Sequence, residues 1–378
     1  MSLLSASYNL AVLGRLRDDP GPFDPSRVRS ILVVRNDNIG DVICTTPAIA
    51  ALRDAFPQAH LAALVCTLTR EALEGHPALD ELFVYPKAKH RHYGPLASHL
   101  KLMQVLGRIK RRRFDLAVAF RADFSSSQAW LVYASGARWR LGPEARGRRR
   151  RWGFYYNLPV PWAPAGTHEV LRCFHLLRHI QVDSPSKRLY LKVPERPQVE
   201  KFLSSRGMED LRPLVVNLTR WAYRPDRHWP DRRWQELLQT LVRRDEPVVV
   251  THAPADRDWV QGLLAGVSPR PPVFFSPSLK EFAALAARAQ VFVTAEGGPM
   301  HLAAAVGAPL VVLWGRTPLE VWRPWGVPQR IVQGGRSVAE IELPRVLAAL
   351  EELRAELGGG AGLLVEEKTG GAGLEKDG

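Results

Sequence analysis

Residues 31–56 read ILVVRNDNIGDVICTTPAIAALRDAF. The opening run ILVV is short, apolar and rich in β-branched residues, as expected of a strand buried on both faces. DVICTTPAIAALRDAF has the length and spacing of a helix. The polar turn between them carries Gly40, which permits a tight turn or a close backbone approach. A strand that feeds a helix through such a turn is the first half of a βαβ unit.

The same alternation recurs along the chain. LAALVC (61–66), ELFVY (81–85) and DLAVAF (115–120) are expected strands. TREALEG, HLKLMQVLGRIKRRR and SSSQAWLVYAS are expected helices, the second ending in cations that suit a helix C-terminus. Periodicity lapses from about 137 to 165, a stretch rich in Arg, Gly, Pro and aromatics that reads as an ordered, irregular surface segment. THEVLRCFHLLRHI (167–180) is an expected helix, and QVDSPSKR follows as a linker. PLVVNLT (213–219), PVVVTH (247–252), VFVTA (291–295) and PLVVLWG (309–315) then repeat the strands, with helices between them and LPRVLAALEELRAEL at the end.

This predicts an α/β protein with two Rossmann-like domains whose parallel sheets face each other across a cleft. The expected divisions are a 1–29 N-terminal extension, a 30–182 domain, a 188–355 domain and a disordered Gly-rich tail over 356–378. Ligands of such sheets bind at the carboxyl ends of the strands. The turn at 35–41 and a second stretch, AEGGPMH (295–301), both lie at such ends.

Composition narrows the partners. The 378 residues carry 52 Lys and Arg against 38 Asp and Glu, a net charge of +14. Such a surface attracts nucleic acid, phosphorylated small molecules or an anionic membrane. No nucleic-acid reading module is recognisable, so no nucleic-acid partner is expected. Three cysteines without a CxxC pair argue against a disulfide framework or zinc site and for a reducing cytoplasm. No apolar run reaches the ~18 residues of a spanning helix. The N-terminal MSLLSASYNLAVLGRLRDD is a poor signal peptide; it reads as a docking or disordered segment, with membrane contact the alternative. HExxH, GxSxG, Walker and GxGxxG patterns are absent.

Asp41 lies at a helix start. An N-cap role accounts for it, and so does a carboxylate base placed at a strand end. Arg35, Asn38, Gly40 and Thr45 are candidate acceptor-side residues, although Thr45 and Thr46 equally suit a first helical turn. Gly297 and Gly298 open a helix after a buried strand, and free amides there make an anion site. His301 is either a core histidine or a donor to a diphosphate oxygen. NLTRWAYRPDRHWPDRRW (217–234) offers Thr219, Arg220 and Arg227 as an anion clamp, with Trp229 and Trp234 as core anchors. The run ARGRRRRW (145–152) is either a solvated charge block or a docking patch for anionic lipid.

RNDNIGDVICTTPAIAALRDAFP, THEVLRCFHLL, RHWPDRRW and EGGPMHLAAAVGAPLVVLWG, in this order and spacing, resemble the heptosyltransferase family of bacterial envelope synthesis, glycosyltransferase family 9. The resemblance spans roughly residues 30–350. It implies a GT-B fold with an N-terminal acceptor domain and a C-terminal nucleotide-sugar domain. It also implies an inverting, metal-independent transfer to a glycolipid, with no cofactor, by an enzyme held peripherally at the inner face of the cytoplasmic membrane. By the family's pattern Asp41 is the general base, Arg227 replaces a lysine donor contact, and Glu296, Gly297, Gly298 and His301 form the diphosphate loop. Two departures stand out: Glu296 replaces an Asp, and Gly297 a hydroxyl residue. An epimerase or hydrolase of the same fold and a non-catalytic anion binder are the alternatives.

Overall fold

The computed structural model describes residues 20–87, 94–184, 188–193, 197–220 and 224–359. The N-terminal segment to residue 19 and the tail beyond 359 lie outside these, as do residues 185–187 of the linker.

Among the described residues twelve strands form two six-stranded sheets. The first contains β1 (Ser30–Val34), β2 (His60–Cys66), β3 (Glu81–Tyr85), β4 (Leu116–Ala119), β5 (Trp139–Pro143) and β6 (Leu158–Val160), in the order β3-β2-β1-β4-β5-β6. The second contains β7 (Leu214–Leu218), β8 (Val248–His252), β9 (Val273–Phe275), β10 (Val291–Ala295), β11 (Leu310–Trp314) and β12 (Gln329–Gln333), in the order β12-β11-β10-β7-β8-β9. Every pairing is parallel. In each sheet the order reverses beside a central strand, which opens a crevice at the strands' carboxyl ends.

Helices are α1 (Ile39–Ala55), α2 (Arg70–Leu73), α3 (Pro95–Arg112), α4 (Ser126–Ala134) and α5 (Glu169–Leu177) in the first half. The second half has α6 (Pro197–Ser204), α7 (Asp231–Arg243), α8 (Arg257–Leu264), α9 (Leu279–Arg288), α10 (Gly298–Ala305), α11 (Leu319–Trp322) and α12 (Leu343–Gly359). Side-chain alternation along β1 sorts the layers. Leu32 and Val34 join a core with Leu106 and Ile109 of α3 and Val132 of α4. Ile31 and Val33 join a core with α1 and α5 that continues into Phe282 of α9 and Met300 of α10. α7, α8 and α12 cover the outer face of the second sheet. The two domains therefore meet through their inner helices, and one apolar cluster runs across the boundary.

Three expectations need correction. The segment 137–165 is not irregular throughout: it supplies β5 and β6, joined by a 3-10 turn over Gly147–Tyr155. Trp139–Pro143 is buried at every position, and Arg140 is kept there by donating to the Ala137 and Tyr155 carbonyls. The tail does not begin at 356, because α12 continues to Gly359. Finally, the second sheet has two edge strands beyond the expected four: β9, whose three residues leave no periodicity to detect, and β12, whose QRIVQ is mostly polar and only half-buried. The extension is partly tied down: Phe23 packs edge-on to Trp139 at 5.3 Å, and the Pro20 carbonyl accepts from Arg138. Among the described residues no helix is long and apolar enough to cross a membrane.

Candidate active site

α1 contains Pro47, which has no N–H to give the Ile43 carbonyl four residues back. The Thr46 hydroxyl donates to that carbonyl instead, at 2.7 Å, and accepts from the Tyr190 amide at 2.9 Å. Thr45 donates to the Asp41 carbonyl at 2.9 Å and is fully buried. Thr45 is thus part of the helix's own hydrogen bonding and does not face an acceptor.

Asp41 is the third residue of α1, and its Oδ2 accepts from the Asn38 amide at 3.2 Å, closing the helix start. Its Oδ1 accepts from Arg35 Nη2 at 3.0 Å. Arg35 is only 1% exposed, so it too is no acceptor contact. It is held on all sides: it donates to the Phe120 carbonyl and to Glu169 Oε1 at 2.7 Å, with Asp37 Oδ2 at 3.4 Å. Burial alone would strip its charge; Glu169, Asp41 and Asp37 more than offset this, and its pKa is raised. Glu169 is pushed the other way, because burial outweighs the stabilising guanidinium and raises its pKa. Glu169 was not foreseen. Its signal was the His-Glu pair of THEV, an N-cap followed by a first-turn acid: His168 Nδ1 accepts from the Val170 amide at 3.2 Å.

Facing α1 is the start of α10. A cleft of about 510 Å³ is lined from the first domain by Asn38, Ile39 and Gly40, and from the second by Arg227, Gly297, Gly298 and His301, with Trp322 at its edge. Asp41, the next residue, is not part of this lining; its carboxylate is 19% exposed. Gly297 has φ 140°, a region that a residue with a side chain adopts only under strain, so glycine suits this position. Gly298 starts α10 and lines the cleft, so the helix start, with its unpaired first-turn amides, borders this space. A Cβ on Gly40 would lie 2.6 Å from His301 Cδ2, so the imidazole packs directly on the α1 backbone. Burial lowers the His301 pKa to about 3. The ring is therefore neutral near pH 7, and its Nδ1 lies 3.7 Å from Cys44 Sγ.

Glu296 lines the cleft but is 1% exposed. Its Oε1 accepts from the Gly315 amide at 3.2 Å and lies 3.7 Å from Arg227 Nε. A carboxylate at an anion site would repel the ligand, so this geometry suits holding Arg227 rather than touching a donor. Arg227 also donates to Thr317 Oγ1 at 2.8 Å, and burial lowers its pKa. The structure does not bring Thr219 and Arg220 to this lining. Thr219 accepts from Asn217 at 2.7 Å, while the Arg220 amide donates to Asp256 at 3.3 Å and its side chain is exposed.

A second cavity of about 420 Å³ lies on the other side of the 35–41 turn, between α3 and α4. Asn36, Tyr85, Lys87, His99, Trp130 and Tyr155 are among its lining residues. Asn36 joins it to the turn by donating to Tyr85 Oη at 3.1 Å. Among the described residues no group of three or more His, Cys, Asp or Glu side chains is placed to hold a metal ion.

The chain is similar to lipopolysaccharide heptosyltransferase 3 of Escherichia coli, 25% identical over 76% of this chain and 83% of that one. It is also similar to lipopolysaccharide heptosyltransferase 1 of Pseudomonas aeruginosa, 26% identical over 76% and 79%. Among solved structures, a family 9 glycosyl transferase from Veillonella parvula superposes with a TM-score of 0.77 at 22% identity, covering 87% of this chain and 97% of that one. An E. coli heptosyltransferase with ADP superposes with a TM-score of 0.71 at 19% identity, covering 86% and 99%. These superpositions establish the two-domain fold. The family model for glycosyltransferase family 9 (heptosyltransferase) matches residues 102–345, and the chain, a glycosyltransferase, belongs to that family.

Proposed function

We propose that the protein is an inverting heptosyltransferase that moves heptose from ADP-heptose to a lipopolysaccharide-core or related glycolipid acceptor. The observation that carries this reading is the meeting, across one cleft, of the Asp41 turn and the Gly297-Gly298 helix start. The donor part is supported by relatives named as lipopolysaccharide heptosyltransferases and by a solved neighbour with ADP.

In this mechanism the Asp41 carboxylate takes the acceptor's hydroxyl proton as that oxygen attacks the anomeric carbon. The bond from that carbon to the diphosphate breaks on the opposite face, so configuration inverts, and the nucleoside diphosphate leaves. Proton transfer is late, which suits a carboxylate held by Arg35. Charge building on the leaving diphosphate meets Arg227 and the amides at the start of α10. These groups serve in place of a metal ion, and no cofactor is required. Neutral His301 offers a hydrogen bond without adding charge. The cavity beside Asn36, with Trp130 and Tyr155 as flat apolar faces and His99 and Lys87 as polar partners, suits the acceptor's sugars. The acceptor's lipid keeps it in a membrane, and the exposed arginines of 146–151 provide for peripheral docking at the cytoplasmic face.

The test is direct. Purified protein is incubated with ADP-heptose and heptose-free lipopolysaccharide core, and the product is weighed by mass spectrometry and its anomeric configuration read by NMR. Addition of one heptose with inversion, unaffected by chelator, is expected. Release of free heptose without transfer, or strict dependence on a divalent ion, would sink the proposal.

A further inference from the structure

We infer that Glu169 is a positioning residue that sets both the orientation and the basicity of Asp41 through the guanidinium the two carboxylates share. The inference deepens the proposed mechanism and rests on Asp41 being its base. Arg35 Nη2 lies 3.0 Å from Asp41 Oδ1 and 2.7 Å from Glu169 Oε1, so one amino group serves both acids. Glu169 is 2% exposed and too deep to reach a substrate. Burying a carboxylate there is costly unless it is paired, and Arg35 is its partner. A guanidinium left to Asp41 alone would hold that carboxylate tightly and make it a poor base. A second anion on the same nitrogen divides the attraction, so the guanidinium does not belong to Asp41 alone.

The surrounding charges are consistent with this division. Asp37 also faces Arg35, but it is engaged by Arg121. Arg172 Nη1 stands 3.6 Å from Glu169 Oε2, an oxygen with no hydrogen-bond partner. Cys44 and Cys173 sit close by, and burial raises both thiols, so neither supplies a charge near neutrality. At 2.7 Å from Arg35 Nη2, Glu169 is the buried carboxylate best placed to balance the guanidinium.

The link continues across the domain boundary. His168 caps α5 through Nδ1, so its proton is on Nε2, which donates to the Arg323 carbonyl at 2.9 Å. The His168 ring also lies 4.6 Å from that of Trp325. Arg323 directly follows Trp322, which borders the donor cleft. Glu169 thus hangs from a residue that grips the second domain, and the aim of Asp41 is tied to that contact.

Wild type, Glu169→Gln, Glu169→Asp and Asp41→Asn are compared for kcat, both KM values and the pH dependence of kcat, using ADP-heptose and heptose-free lipopolysaccharide core. Glutamine keeps the shape and removes the charge. Arg35 then acts on Asp41 alone, so the acid limb of kcat moves to lower pH. kcat is expected to fall roughly tenfold with both KM values within about twofold, the pattern of a weakened base rather than lost binding. Glu169→Asp withdraws the charge by one methylene and gives an intermediate kcat and an intermediate limb. This variant carries the test alone if Glu169→Gln does not fold. A limb that stays at the wild-type pH in the folded variants, with or without loss of activity, overturns the inference and leaves Glu169 a purely structural acid. An active Asp41→Asn enzyme instead overturns the reading of Asp41 as base; an inactive one beside an unshifted Glu169 variant separates the two failures.

Discussion

At the scale of single residues, the site is a set of charges whose partners decide their chemistry. Asp41 was legible because the Gly-Asp pair sits where a strand ends and a helix begins, and both a cap and a base fit that place. The structure gives it the cap geometry, with the Asn38 amide at 3.2 Å, and leaves the carboxylate partly exposed. Replacing Asp41 by Ala should lower turnover roughly 10²–10⁴-fold, the usual size for a lost general base. Donor affinity measured by calorimetry should hardly change, and a fully active variant would reduce Asp41 to a cap. Glu169 and the true role of Arg35 were not legible, because a strand-end arginine reads as a ligand contact until its burial is known. His301 shows the same limit: its position was evident, its neutral state was not. Unfolded, that histidine titrates near 6.5; folded, near 3. Below pH 6.5 the unfolded chain therefore binds a proton that the folded chain refuses, and stability falls as pH falls. Between pH 7 and pH 5 the loss from this group is about 2 kcal/mol. Urea midpoints for wild type and His301→Gln at the two pH values check this: the variant should lose less stability on acidification. His76, lowered by burial to about 4, supplies a similar slope that persists in the variant.

At the scale of elements, continuous apolar strands such as ILVV and VFVTA announced themselves, because parallel strands are buried on both faces. β5 and β6 did not. Their burial depends on contacts that periodicity cannot express, such as the Tyr156 ring, 2.4 Å from where a Cβ on Gly142 would lie. The TTP stretch in α1 was ambiguous for a related reason: a proline inside a helix is tolerable only once Thr46 is seen to replace the missing donor. The turn over Gly147–Tyr155 revises the picture of the docking patch. Arg146, Arg148, Arg149, Arg150 and Arg151 are exposed, as a lipid-facing patch requires. Of the aromatics beside them Phe154 is the most exposed, at 47%, although its ring packs on Tyr133 and Tyr155; Trp152 is half-buried, and Tyr155 and Tyr156 are core. Anionic lipid attracts each surface arginine by about 1 kcal/mol. The protein should therefore co-sediment with phosphatidylglycerol-rich vesicles at low salt and release them as salt passes about 0.15 M. Changing the five arginines to serine should abolish sedimentation and leave ADP binding intact. Retained binding would move the docking surface elsewhere.

At the scale of the whole molecule, two domains with separate sheets make one site only by closing on each other. The alternation of strands and helices foretold the two halves; it held no information about their distance. That distance is set by the apolar cluster shared across the boundary and by a few polar contacts beside it. Glu71 accepts from the Leu279 and Lys280 amides at the start of α9, at 2.7 and 3.3 Å. His168 grips the Arg323 carbonyl. Across the same boundary Gly40 packs on His301 with no room for a side chain. A Cβ at Gly40 would stand 2.6 Å from Cδ2 and 3.4 Å from Cγ of a buried ring that has Trp322 beyond it, ring centres 6.1 Å apart. The ring cannot swing away as the tip of a long side chain would. Gly40→Ala must therefore push α1 from α10, while each sheet and its own helices stay undisturbed. The variant should fold, with a melting temperature close to wild type. Its kcat should fall by up to about 10²-fold, since a displacement near 1 Å between base and donor costs that much. Adding His301→Ala makes the needed space, so the double variant should lose no more than His301→Ala alone, a coupling that a double-mutant cycle measures. Additive losses would mean that Gly40 acts on the Asp41 turn itself, and that the approach of the two domains is set elsewhere.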